Sequence, residues 1–131
     1  MNDQIIFNDI NITQLLHARD RLDLAIKIAK SEVEKTGAIK CFEYCYELSW
    51  KLMKKILLKK GIETNNPRDA FREAGINHLV NDPEMWFDFI LKRNLTSHTY
   101  DEQLASEIFE FLPIFLKEMD KFIQHAREAK L

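Results

Sequence analysis

Between Arg93 and Tyr100 the chain reads Arg93-Asn94-Leu95-Thr96-Ser97-His98-Thr99-Tyr100, which gathers a guanidinium, an amide, an imidazole and a phenol. The guanidinium carries a fixed positive charge, and the imidazole exchanges protons near neutral pH. These parts suit a phosphodiester. Arg93 would neutralise developing negative charge and His98 would move protons. Asn94 lies about one turn before His98, so a helix continuing that far would project both from one side. The same spacing also fits an ordinary helix end, where Arg93 serves the last carbonyls and His98 or Asn94 caps the final turn. Spacing alone leaves both readings open.

The segment leading into Arg93 is apolar on most sides. On a helical wheel at about 100° per residue, Glu84, Asp88 and Lys92 form one narrow polar stripe, and nearly everything else from Pro83 to Leu91 is apolar. Arg93 falls roughly opposite Glu84, between Phe89 and Ile90. A guanidinium in such a seam requires a carboxylate, carbonyl or phosphate partner. Glu47 is a candidate carboxylate from across the bundle, although its i,i+4 spacing to Lys51 fits a solvated surface pair equally well. Trp50 reads as core or interface rather than as a base-stacking platform. A bundle of this size can hardly cover so greasy a helix alone, so the sequence predicts a homodimer that buries the region.

The elements that must position these residues read as helices. The 131 residues and 15.5 kDa fit one domain, 1–131, with a short amino-terminal tail over about 1–9. With only 3 Gly and 3 Pro, a turn-rich β sandwich or barrel is disfavoured, and no convincing strand is expected. Ile12, Leu15, Leu16, Leu22, Ala25, Ile26 and Ala29 recur at helical spacing over about Asn11 to Ser31. Thr36-Gly37 is expected to interrupt that pattern, with a second, unusually apolar and central helix from about Ala38 to Lys60, stopped by Gly61. Asn66-Pro67 opens a short helix that Gly75 would close, and Asp82-Pro83 opens the next, which runs to about Ser97. The last begins after Asp101 and contains Pro113, which should bend it or free one carbonyl. The expected class is all-α: an antiparallel up-and-down four-helix bundle plus a short extra helix.

Charge and cysteine usage remove other options. Nineteen basic and 21 acidic residues give a net charge of −2, which disfavours nucleic-acid binding through bulk positive charge while allowing a local basic site. No apolar run approaches the roughly 20 residues of a membrane span, and no signal peptide is legible, so the expectation is a cytoplasmic protein with no membrane contact. Cys41 and Cys45, four apart on one helix face, read as reduced core residues. No metal cluster is completed, so neither a metal nor another cofactor is expected.

The run Arg93-Asn94 through His98-Thr99-Tyr100 resembles the RN-x3-H-x-Y form of the R-x4-6-H motif of HEPN domains. Within that group the chain more closely resembles the small HEPN proteins known as nucleotidyltransferase substrate-binding proteins or HepT toxins. Phe42-Glu43-Tyr44, Glu47-Leu48-Ser49-Trp50-Lys51, Pro67-Arg68 and Trp86 agree with that family, and the similarity spans roughly residues 12–125. The resemblance implies a dimeric helical bundle in which the motifs of both copies meet in one cleft. It further implies metal-independent RNA cleavage by 2′-hydroxyl attack, with His98 as general acid/base, Arg93 stabilising the charged phosphorane, and Asn94 orienting His98 or the phosphate. A companion minimal nucleotidyltransferase would silence the toxin by transferring AMP from ATP to Tyr100.

Two further classes compete with the ribonuclease toxin. One is a non-catalytic substrate-binding subunit of a two-component nucleotidyltransferase; the other is a purely structural bundle. The chain lacks the Gly-Ser and paired-Asp signature of a nucleotidyltransferase and is not expected to transfer nucleotides itself.

Overall fold

The computed structural model describes residues 3–130. Among the described residues five α-helices build the fold: α1 (Thr13–Ile28), α2 (Glu32–Lys59), α3 (Pro67–Ile76), α4 (Pro83–Leu95) and α5 (Glu102–Glu128). A short 3-10 turn, Thr96–His98, links α4 to α5. The all-α expectation holds, and α2 is central as its composition predicts: it packs against α1, α3, α4 and α5.

The amino-terminal segment is more than a tail. Two-residue strands β1 (Ile5–Ile6) and β2 (Ile10–Asn11) pair antiparallel, with Ile5 opposite Asn11 and Ile6 opposite Ile10. Phe7 and Asn8 turn the chain with φ of 50° and 70°. The hairpin is held by its attachments: Gln4 N–H donates to Thr13 Oγ1 at 2.8 Å, Ile12 N–H donates to Gln4 O at 2.8 Å, and Ile10 is buried. Strands this short show no alternation in the sequence, which is why none is expected there.

The break between α1 and α2 also lies elsewhere than expected. Thr36-Gly37 sits inside α2, and the chain turns at 29–31 instead. Ser31 starts α2 with a reciprocal capping box: its Oγ accepts from Glu34 N–H at 3.1 Å, and Glu34 Oε1 accepts from Ser31 N–H at 2.9 Å. Two satisfied donors outweigh the modest cost of a helical glycine. These bonds hold the Glu34 carboxyl below its usual range.

At α3 and α4 the proline-led starts appear as predicted. Asn66 Oδ1 accepts from Asp69 N–H at 2.9 Å, and the Asp82 side chain accepts from Met85 N–H at 3.3 Å. Gly75 does not terminate α3, which continues to Ile76 before His78 takes the left-handed conformation (φ 64°). Gly75 is required by proximity: a Cβ there would lie 2.8 Å from Pro83 Cγ at the start of α4. Helix α5 runs unbroken through exposed Pro113.

An aromatic cluster fixes α4 in the bundle. Trp86 packs on Phe71 of α3 and on Phe89, both at 5.1 Å between ring centroids. Phe115 of α5 meets Phe89 at 5.1 Å and Phe42 of α2 at 4.8 Å. On the other side, Arg19 of α1 grips Asp120 of α5 through Nε and Nη2 at 2.8 and 2.9 Å.

Candidate active site

Helix α4 carries the candidate residues Arg93 and Asn94 at its carboxyl end. Burial of Trp86 and Phe89 anchors the preceding turns, so the direction in which Arg93 leaves the helix follows from the core. The chain then tightens into the 3-10 turn, and Asp101 N–H donates to His98 O at 3.0 Å. Asp101 next caps α5, its side chain accepting from Leu104 N–H at 3.1 Å. His98 and Tyr100 therefore stand on a short bridge clamped by two helix ends.

Arg93 is less deeply placed than its position on the wheel predicts. Its side chain is 33% exposed, at the rim of the apolar seam, because the helix ends within one turn and the chain beyond it does not cover the guanidinium. Nη1 donates to Thr96 Oγ1 at 3.0 Å, and the same hydroxyl donates to Arg93 O at 2.7 Å. The buried Nε has no hydrogen-bond partner among the described residues and faces Glu47 Oε1 at 4.0 Å. Glu47 is thus turned toward Arg93, and its Oε2 accepts from Trp50 Nε1 at 3.1 Å. A Trp50–Glu47–Arg93 chain results, and among the described residues Nη2 makes no hydrogen bond.

The neighbouring Tyr46 is buried beside this chain. Desolvation, reinforced by the Glu47 charge, pushes its phenol up to about 12 against the opposing pull of Arg93 and Arg68. Tyr46 stays a neutral hydroxyl. Arg68 itself lies over the Phe87 ring, 5.0 Å from its centroid, which adds a second guanidinium beside α4.

His98 and Tyr100 form the other half of the site. Nδ1 of His98 lies 3.1 Å from Tyr100 Oη, with the rings nearly perpendicular at 79°. Tyr100 is 81% exposed. With Nδ1 engaged, Nε2 is the nitrogen open to exchange a proton with a ligand. Asn94 is also exposed, and among the described residues its side chain hydrogen-bonds neither His98 nor Arg93; its carbonyl accepts from Ser97 Oγ at 3.3 Å. Within one chain the Arg93–Thr96 and His98–Tyr100 pairs are each ordered separately.

Two roles are absent from the sequence reading above. Thr96 locks Arg93 to the end of α4, and Trp50 orients Glu47. Their signals are i,i+3 spacings, Arg93 to Thr96 and Glu47 to Trp50, which reach across one helical turn.

Comparison with known proteins gives the family of the chain as a whole. A family described as nucleotidyltransferase substrate binding protein like matches residues 10–128. The probable ribonuclease HepT of Haemophilus influenzae is 36% identical over 97 residues, which is 70% of this chain and 66% of that protein; the alignment thus spans just under two thirds of the relative's length. Among solved structures, a protein from Thermus thermophilus superposes with a TM-score of 0.82 at 32% identity, covering 86% of this chain and 98% of that one. HI0074 from Haemophilus influenzae, described as having the fold of a substrate binding domain of a nucleotidyltransferase, superposes with a TM-score of 0.80 at 30% identity, covering 89% and 99%.

Proposed function

The chain belongs to the nucleotidyltransferase substrate binding protein like family, and from that premise we propose that it is the toxin of a two-gene module, a metal-independent endoribonuclease controlled by a minimal nucleotidyltransferase. The observation that carries this reading is the His98–Tyr100 contact, Nδ1 to Oη at 3.1 Å, five residues beyond the guanidinium of Arg93. Similarity to a probable ribonuclease supports it.

In the proposed reaction an RNA 2′-hydroxyl attacks the adjacent phosphorus. His98 Nε2 accepts the hydroxyl proton as the new P–O bond forms, and the P–O5′ bond breaks. The departing 5′-oxygen takes a proton from an imidazolium, leaving a 2′,3′-cyclic phosphate and a 5′-hydroxyl. Arg93 binds the non-bridging oxygens, where negative charge gathers in the transition state. Asn94 orients the phosphate from the exposed side. A homodimer that brings two motifs into one cleft supplies two imidazoles, one to accept and one to donate the proton. The partly exposed apolar residues of α4, with Leu91 58% exposed, are what such a dimer would cover.

Silencing uses the same tyrosine. Tyr100 Oη attacks the α-phosphorus of ATP on the partner transferase, pyrophosphate leaves, and the phenol proton passes to a base of that enzyme. The product carries bulk and negative charge beside His98, which opposes RNA binding. This chemistry belongs to a cytoplasmic pair of proteins.

The test is to produce the chain alone, beside Arg93→Ala and His98→Ala, while following growth and RNA integrity. Loss of general acid/base help costs about 10²–10⁴ in rate and loss of a donor to the developing charge about 10²–10³, so both variants should lose toxicity and RNA cleavage together. Absence of both in the unaltered chain would overturn the ribonuclease. Incubation with the neighbouring transferase and ATP should add multiples of AMP mass at Tyr100. One observation favours a second reading, a non-catalytic substrate-binding subunit: the description of HI0074 as a substrate binding domain of a nucleotidyltransferase.

A further inference from the structure

Helices α1 and α2 run side by side and leave a groove of about 460 Å³ on their outer face. Gln14, His17 and Arg21 enter it from α1 at i, i+3 and i+7, one face of that helix. Cys41 and Tyr44 enter from α2 at i and i+3, and Glu47 closes the end. Glu47 is also the carboxylate that faces Arg93 Nε at 4.0 Å. The groove and the candidate active site therefore meet at one residue, Glu47.

The chemistry of this lining is specific. Arg21 has no salt bridge among the described residues, whereas Arg19, two positions earlier, is bound by Asp20, Asp23 and Asp120. Tyr44 is 51% exposed; the Lys40 ammonium lies over one face of its ring, 5.6 Å from the centroid, which leaves the other face for a base. An uncommitted guanidinium, an imidazole, an exposed flat ring and an amide are the groups that hold a nucleotide: cations take the phosphate, the ring stacks on the base, and the amide reads a base edge. For a chain of net charge −2, a polyanion needs such local cations. Glu47 keeps its charge at the far end of the groove, with Oε2 held by Trp50 and Oε1 turned toward Arg93, so a phosphate is favoured at the Arg21 end.

We infer that the α1–α2 groove is a substrate subsite that holds a nucleotide of single-stranded RNA next to the scissile phosphate, with Tyr44 stacking on the base and Arg21 bound to a phosphate. The inference rests on the ribonuclease reading above and adds the residues that hold the substrate. Arg21 and Tyr44 make no contact with the reacting atoms; their contribution is to binding.

The test uses the full chain with a short fluorescein-labelled single-stranded oligoribonucleotide. Binding is measured by anisotropy in a His98→Ala background, and cleavage in the otherwise unaltered chain. Tyr44→Ser should weaken binding about tenfold, while Tyr44→Phe, which keeps the stacking face, should restore it. Arg21→Gln should make the slope of log affinity against log salt shallower by about 0.7, one phosphate contact on a single strand. Both Tyr44→Ser and Arg21→Gln should raise KM and leave kcat unchanged. If RNA is bound and cut normally by both variants, the subsite is overturned and the ribonuclease stands. If the unaltered chain neither cuts nor binds RNA, the ribonuclease itself falls and the subsite with it. A change of mass in light scattering from either variant would assign the groove to contact between copies of the chain and overturn the subsite.

Discussion

The imidazole of His98 meets the phenol of Tyr100 edge to face, ring centroids 5.7 Å apart, with Nδ1 3.1 Å from Oη. If Oη accepts from Nδ1–H, the ring keeps one orientation whether Nε2 is protonated or bare, and Nε2 can cycle between acid and base. Tyr100 would then be a positioning residue as well as the modified one. Tyr100→Phe should lower kcat by roughly two- to tenfold, the worth of one ordinary hydrogen bond. Nitrogen chemical shifts should place the proton of neutral His98 on Nδ1 in the unaltered chain and shift it toward Nε2 in the variant. A neutral His98 already protonated at Nε2 in the unaltered chain would refute the positioning role.

Arg93 Nε is enclosed and faces Glu47 Oε1 at 4.0 Å, and Trp50 holds the other carboxylate oxygen. The carboxylate aims the guanidinium, and among the described residues no other carboxylate pairs with Arg93. Glu47→Ala should reduce RNA cleavage about tenfold through kcat, in line with a charge-assisted contact. Trp50→Phe removes only the donor to Glu47 and should give a smaller loss in the same direction. Single-turnover cleavage rates distinguish the two, and full activity in Glu47→Ala would remove Glu47 from the site.

Much of this arrangement is legible before any coordinates. Asn66-Pro67 and Asp82-Pro83 mark helix starts because cap and proline act within three residues, and the apolar periodicity of α2 foretells its central place. The errors come where spatial neighbours decide. Gly75 resembles a helix stop, but its lack of a Cβ serves Pro83, eight residues ahead. Gly37 resembles a break, but Ser31 and Glu34 start α2 six residues earlier with bonds that propensity does not register. A helical wheel likewise gives the direction of Arg93 but not the depth of its surroundings, since it cannot show that α4 ends one turn later.

The capping box at α2 makes an acid-sensitive joint. Glu34 binds Ser31 in its ionised form, so its folded pKa lies below the usual 4.5. A depressed carboxyl stabilises the fold above its unfolded pKa, and that contribution fades as pH falls through the folded value. Urea unfolding followed across this acid range should show stability dropping, and Glu34→Gln should flatten the dependence. Ser31→Ala should cost about 1 kcal/mol near neutral pH, the usual worth of an N-cap. An unchanged acid profile in Glu34→Gln would show that other carboxylates dominate.

Gly75 and Pro83 bring the end of α3 against the start of α4 with no space for a methyl group. Gly75→Ala puts a Cβ 2.8 Å from Pro83 Cγ, and the proline ring cannot rotate away. Helical propensity alone would favour alanine by about 1 kcal/mol, so the sign of the effect separates the two forces. Overpacking costs about 1–3 kcal/mol, and a lower Tm is expected; a higher one would show that the helices part easily.

Helix α4 buries Trp86 and Phe89, yet Phe87 and Ile90 remain half-exposed and Leu91 is 58% exposed. In a homodimer built on this helix, Leu91→Glu would force an unpaired carboxylate into the contact, a penalty of several kcal/mol. On a single chain the same residue faces water, where a substitution shifts stability by about 0.5 kcal/mol or less. The variant should therefore keep its helical circular dichroism while its mass in light scattering falls from two chains to one, its Tm falling only by what dimerisation contributed. Because the proposed chemistry draws one imidazole from each copy, RNA cleavage should disappear with the dimer although Arg93, His98 and Tyr100 are untouched. A Leu91→Glu protein that stays dimeric would move the interface off this face of α4, and a monomer that still cleaves RNA would show that one motif suffices.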